Sequence, residues 1–145
     1  MRTWPQRSCE THFHSAERQG GYVMYEFMDR TLADSFTFYR VPKLLFTDPE
    51  FRKMTAELRI LYGLLLDRTG LARMNDWRDE LGRVYIYFKV EEVMKCLHCA
   101  KQKAVKLLKK LEKARLIERR KQGLGRPHRI YVKSFIRTKD TEAAV

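Results

Sequence analysis

Several things are scarce in this sequence, and each scarcity closes off a class of function. Long apolar runs are missing: Ile60 to Leu66 (ILYGLLL) is seven uncharged residues, against the roughly 20 that a membrane-spanning helix requires. The opening residues, MRTWPQRSCETH, lack the continuous apolar stretch of a secretion signal. A cytoplasmic protein with no membrane partner is therefore expected. Cysteines number three, an odd count without a secretion signal, which argues for free thiols and against a disulfide framework. At 145 residues the chain has room for one domain with a modest core, and a second of useful size does not fit.

Acidic residues are also few, 18 against 30 Lys and Arg, which leaves a formal net charge of +12. The excess is not spread evenly. From Lys89 to Lys133 there are 15 Lys and Arg and 4 acids, Glu91, Glu92, Glu112 and Glu118. The remainder of the chain is almost balanced, with 15 bases and 14 acids. Charge gathered in one stretch produces a local field that concentrates a polyanion, and nucleic acid is the commonest such partner.

The residues inside that stretch have an order. Arg83 to Phe88 reads as a strand, Val90 to Leu97 as a helix with apolar residues at Val90, Val93, Met94 and Leu97, and Leu97-His98-Cys99 as a turn. Ala100 to Ala114 (AKQKAVKLLKKLEKA) is a second helix. At about 100° per residue, Ala104, Val105, Leu107, Leu108, Leu111 and Ala114 cover one side. Gln102, Lys106, Lys109 and Lys113 fall opposite, with Lys103 and Lys110 at the edge. Leu116 to Lys121 and His128 to Val132 are strands flanking the Gly-rich loop Gln122 to Pro127, a hairpin made basic by Arg119, Arg120, Lys121, Arg126 and Arg129. A lysine stripe alone is usually a solvated helix face. Here strand, helix, turn, helix and basic hairpin follow in the order of a winged helix-turn-helix, an α+β fold.

The rest of the chain supports that unit. Met1 to Gly21, polar, weakly periodic and ending in Gly20-Gly21, reads as flexible, so residues 1–35 are expected as a leader, residues 36–136 as the winged domain, and 137–145 as a disordered tail. Met24 and Met28 are further candidate start sites. Phe36 to Val41 suits a short strand, and Leu44 to Phe46 a short helix after Pro42. Asp48-Pro49-Glu50 starts another helical turn, and Thr55 caps the core helix Ala56 to Asp67, with Glu57 in its first turn. Gly70 to Gly82 reads as turns around Trp77.

Two motifs suggest other chemistry. His12-Phe13-His14 is the way metal-dependent nickases present two ligands, but a third ligand, a nucleophilic Tyr and a broad sheet are needed, and nothing downstream supplies the sheet. Cys96-Leu97-His98-Cys99 could be half a zinc site or a redox pair, yet the other metal candidates, Cys9, His12 and His14, lie in the leader, and a redox site would want a thioredoxin-like βαβ setting that is absent. No metal, cofactor or catalytic grouping is called for, and an enzyme is the weakest reading.

Five blocks carry a resemblance: Phe38 to Phe46 (FYRVPKLLF), Leu61 to Arg68 (LYGLLLDR), Gly82 to Phe88 (GRVYIYF), Gln102 to Leu108 (QKAVKLL), and Gln122 to Pro127 (QGLGRP) with Ile130-Tyr131-Val132. Together these resemble the N-terminal domain of the plasmid replication initiator protein A family of low-GC Gram-positive bacteria. The resemblance implies a winged-helix domain that binds repeated sites in a plasmid origin and works as a homodimer. It also implies host replication partners, engaged through a C-terminal domain that family members usually carry and this chain lacks. A fragment, a truncated gene or a DNA-binding remnant is expected on that ground. The family tends to have Gly just before the Leu-Ile strand, where this chain has Arg115. If the helix ends there in a left-handed residue, a side chain costs about 1 kcal/mol.

The expected partner is double-stranded DNA. Gln102, Lys103 and Lys106 would reach base edges in the major groove, Gln suiting adenine and Lys guanine. Lys101 and the helix-start amides would meet phosphate, as would Lys109, Lys110 and Lys113. Arg119, Arg120, Lys121, Arg126 and Arg129 would reach phosphate or the adjacent minor groove. A transcriptional regulator shares every feature except the five blocks, and a protein-binding winged helix would show apolar anchors in place of lysines.

Overall fold

The computed structural model describes residues 27–28 and 36–135. The leader motif His12-Phe13-His14 and the expected tail lie outside them. The chain divides into a unit of residues 1–38 and a compact unit of residues 39–145; all that follows concerns the second.

This unit opens with α1, Leu44–Thr47, and a 3-10 turn, Pro49–Phe51. Asp48 starts the latter as anticipated, its carboxylate accepting from the Glu50 amide at 2.9 Å while Pro49 supplies a preset φ. Thr55 caps α2, Ala56–Met74, with its hydroxyl accepting from the Leu58 amide. The helix runs seven residues past the expected end at Asp67, straight through Gly70. A mid-helix glycine costs about 1 kcal/mol. What offsets it is tertiary: Ala72 is fully buried, and Arg68, 6% exposed, stacks over Phe88 and pairs with Glu92 at 3.3 Å. Gly63 permits a close approach on the other side of α2. A Cβ there would stand 2.8 Å from the Val41 side chain and 3.3 Å from the Arg40 carbonyl.

Helix α3, Val90–Leu97, has the expected limits. Glu92 closes its first turn by accepting from the Lys89 amide at 2.8 Å, so one carboxylate serves both this helix start and Arg68. Helix α4, Lys101–Lys113, follows, then β1, Ile117–Arg120, and β2, Arg129–Val132. The strands pair antiparallel, with Ile117 opposite Val132 and Arg120 opposite Arg129. The segment expected as a strand over 83–88 contributes only a bridge, Ile86 exchanging two hydrogen bonds of 2.8 and 2.9 Å with Ile130, besides an Arg78–Val84 bridge. Residues 36–41 form no strand.

The core lies where α2, α3, α4 and the inner sheet face meet, around Leu61, Tyr62, Leu65, Ile86, Val93, Leu108, Leu111, Ile117 and Ile130. Tyr62 donates its hydroxyl to the Lys133 carbonyl at 2.6 Å, tying α2 to the chain beyond β2, and burial pushes its pKa up to about 12. The whole is the winged helix-turn-helix expected.

Candidate nucleic-acid interface

Three helices end at a non-glycine residue with positive φ: Asp76 (57°) after α2, His98 (49°) after α3 and Arg115 (61°) after α4. The left-handed turn at His98 directs the chain into α4. The Cys99 amide donates to the Met94 carbonyl at 3.2 Å, and Ala100 is extended before the helix begins. Helix α4 is then held by one face. Ala104, Leu107, Leu108 and Leu111 are buried, while Lys101, Gln102, Lys103, Lys106, Lys109, Lys110 and Lys113 are exposed. Its N-terminus has no side-chain cap and no acid in the first turn, whereas α2 has the Thr55 cap and Glu57, and α3 has Glu91 and Glu92. The first amides thus have no capping side chain, and no acid of the helix itself offsets the positive end of its dipole.

The exposed cations differ in what they touch. Among the described residues, Lys101, Lys106, Lys109, Lys110 and Lys113 have no carboxylate partner. Lys103 does: its ammonium lies 2.6 Å from Glu57 of α2, both side chains about half exposed, and the hydrogen bond to Glu57 raises its pKa.

In the hairpin, Lys121 and Arg126 are exposed and free of carboxylates among the described residues. The other three arginines are engaged. Arg119, four-fifths buried, donates from Nε and Nη2 to one Glu112 oxygen at 3.0 and 2.7 Å. Arg120 pairs with Glu118 at 2.7 Å and lies over the Tyr131 ring. Arg129 sits 4.5 Å above Tyr85, its Nε buried without a hydrogen-bond partner. The twelve cationic or amide positions expected to face DNA are therefore not equivalent.

Arg120 and Arg129 rest on a second cluster, on the outer sheet face. Trp77, Tyr85 and Tyr87 meet edge to face with centroids 5.6 to 5.9 Å apart, and Tyr85 reaches Tyr131 at 6.2 Å. Tyr131 donates to Asp79 at 3.0 Å, and Gln122 donates to Tyr87 at 3.1 Å. Arg83 pairs with Asp79 at 2.9 Å and lies over Tyr131. Burial works to raise the Asp79 pKa. Hydrogen bonds from the Arg83 amide and guanidinium, the Tyr131 hydroxyl and the Leu81 amide outweigh it and hold the carboxyl at about 2. The alternation Tyr85-Ile86-Tyr87-Phe88 was the available signal that one face of this segment is aromatic and polar-tipped.

Between α4 and the hairpin lies a half-open crevice of about 430 Å³, floored by Phe88, Leu108 and Ile130 and edged by Lys89, Arg126 and His128. Lys89 and His128 were not among the residues expected at the interface. Both precede an element start, where periodicity carries no information about facing. Of the cysteines described, Cys99 carries a free thiol, whereas Cys96 is disulfide-bonded, against expectation. Among the described residues no group of three His, Cys, Asp or Glu is placed to hold a metal ion.

Comparison with known proteins places this geometry. Residues 37–144 match the family model described as the replication initiator protein A N-terminus. A 41 kDa protein of Lactobacillus helveticus is 31% identical over 101 residues, which is 66% of this chain and 29% of that protein. Among solved structures, the N-terminal domain of a DNA binding protein aligns with TM-score 0.65 at 30% identity, covering 83% of this chain and 93% of that one. A Rep–DNA complex gives 0.64 at 30%, covering 83% and 98%. An MDR initiator gives 0.61 at 28%, covering 82% and 95%.

Proposed function

This chain belongs to the replication initiator protein A N-terminus family, and from that premise we propose that it binds double-stranded DNA sequence-specifically, at repeated sites in a plasmid or mobile-element replication origin. The observation that carries the reading is the row of lysines on the outward face of α4, all but Lys103 without carboxylate partners among the described residues, on a helix whose opposite face is buried and whose N-terminus has no side-chain cap. Such a helix is anchored by its apolar side and free to enter a major groove by the other. Gln102 and Lys106 then stand at base edges, where Gln matches adenine and Lys guanine. Lys101, Lys109, Lys110 and Lys113 meet phosphate, and Lys121 and Arg126 reach it from the hairpin. Lys103 contributes to the field while held by Glu57. Arg119, Arg120 and Arg129 shape the hairpin more than they touch DNA.

A transcriptional regulator would use the same contacts. The family match, the Rep–DNA complex and the MDR initiator among the neighbours favour the initiator reading. The chain spans less than a third of the Lactobacillus helveticus relative. Action as a homodimer in the cytoplasm, with host replication proteins engaged through the part of longer relatives that this chain does not span, completes the proposal. No helix among the described residues is long and apolar enough to cross a membrane.

The test is electrophoretic retardation of labelled duplexes tiled across the gene and its flanks, at two salt concentrations and with excess competitor. One retained tile containing direct repeats is the expected result. Uniform, salt-labile retention of every tile would overturn sequence-specific binding.

A further inference from the structure

The loop between β1 and β2 narrows at its tip to Gly123-Leu124-Gly125. Leu124 has a relative exposure of 105%, so its whole side chain is in water and packs against nothing in the free protein. Gly123 and Gly125 have φ of 118° and 74°, conformations that side-chain-bearing residues rarely adopt. A Cβ at either would meet nothing within 4 Å, so both sides of the tip are open. The leucine is thus carried on a stem with no side chain on either flank. Lys121 and Arg126, both exposed and without carboxylate partners among the described residues, stand just behind it.

A lone surface leucine is ordinary and by itself signifies nothing. This one differs in its surroundings. Resting on the DNA-binding reading, α4 in the major groove brings the hairpin to the adjacent minor groove, which is about 6 Å wide. A bare-flanked stem suits so narrow an opening, and two cations behind the tip suit the phosphates along both edges. Apolar side chains delivered to the minor groove in this way press against a base step, partly unstack it and kink the duplex toward the major groove.

We propose that Leu124 is a minor-groove wedge, and that the domain deforms its site as well as reading it. Leu124 enters at one base step while Lys121 and Arg126 hold the flanking phosphates. Pyrimidine–purine steps, TA above all, unstack at the least cost, so the step under the hairpin is expected to be of that kind. Specificity then arises at a position where no polar group touches a base.

The test uses the full chain and the tile retained in the retardation experiment, with 2-aminopurine placed at successive positions under the hairpin. A second duplex carries a single-nucleotide gap at the responding step. The wild-type protein should raise the fluorescence at one step. Leu124→Ala should abolish the rise and Leu124→Met should keep it, with unfolding temperatures unchanged. Affinity of Leu124→Ala should fall about tenfold on intact duplex and less than about twofold on gapped duplex, where unstacking is already done. An equal fluorescence rise for wild type and Leu124→Ala, or an equal affinity loss on both duplexes, overturns the wedge. Absence of any retained tile reads differently, since it removes the DNA-binding premise itself.

Discussion

Helix α4 and the hairpin strands carry similar densities of positive charge, yet they use it in opposite ways. On α4 the lysines project from a helix fastened by Leu107, Leu108 and Leu111, and five of them have no carboxylate within the described residues. In β1 and β2 the arginines are engaged by neighbours, Arg119 by Glu112, Arg120, itself 46% exposed, by Glu118 and Tyr131, and Arg129 by Tyr85. The chemistry of the two side chains explains the division. A guanidinium stacks on an aromatic ring and forks onto a carboxylate, so arginine suits a small polar core, while a hydrated ammonium on a flexible stem stays in solvent. Charge counted along a chain measures the field it produces; availability depends on what stands opposite each cation.

The division is broken most forcefully from the hairpin side. Tyr131 is 8% exposed, lies under both Arg83 and Arg120, contacts Tyr85 and donates to Asp79. Tyr131→Ala removes the ring on which the outer sheet face is built, and the expected loss is about 3 to 5 kcal/mol, read by thermal or denaturant unfolding. A change within error would mean that the outer cluster does not hold the hairpin, and Arg120 and Arg129 would then count as DNA ligands after all.

A smaller effect sharpens the same contrast by comparing one cation from each side. Lys109→Ala should leave the unfolding temperature unchanged and lower the slope of log affinity against log salt by about one unit, as for the loss of one phosphate contact. Arg119→Ala, which leaves Glu112 without its partner, should lower the unfolding temperature and barely change the slope. Reversal of the two results would transfer the phosphate-binding role from helix to hairpin.

The sequence made α4 legible because its evidence is local. Periodicity separates Ala104, Leu107, Leu108 and Leu111 from the lysines without reference to any other part of the chain, and the limits of α3 follow from the same spacing. The outer cluster on which Arg120 and Arg129 rest was not legible, because its members come from far apart in the chain. Tyr131 finds Asp79 across 52 positions, and Gln122 finds Tyr87 across 35. The same holds for Lys103, whose partner Glu57 was recognised only as a helix-start acid, 46 positions back. Helix α2 outran its expected end for a related reason: Gly70 is a local signal to stop, and the burial of Ala72 and the Arg68–Glu92 pair override it.

Arg115 is the exception that joins the two regions, and it was legible through an absence. The resemblance to the initiator family places glycine at this position, so an arginine there marked a strain to look for. The structure contains it: φ is 61°, the Arg115 amide donates to Glu112 and the Leu116 amide to Leu111, the paired bonds of a Schellman cap. Leu111 and Leu116 are both buried, so packing imposes the left-handed turn whatever residue occupies it. Arg115→Gly should therefore raise stability by about 1 kcal/mol, measured as a higher unfolding midpoint in denaturant. Asp76→Gly, the equivalent change after α2, should give less, because a short polar side chain tolerates this conformation better. A drop in the midpoint for Arg115→Gly would show that the Arg115 side chain stabilises the junction by more than its backbone strain costs. The line between projecting and engaged cations would then have to be drawn two residues before β1 rather than at it.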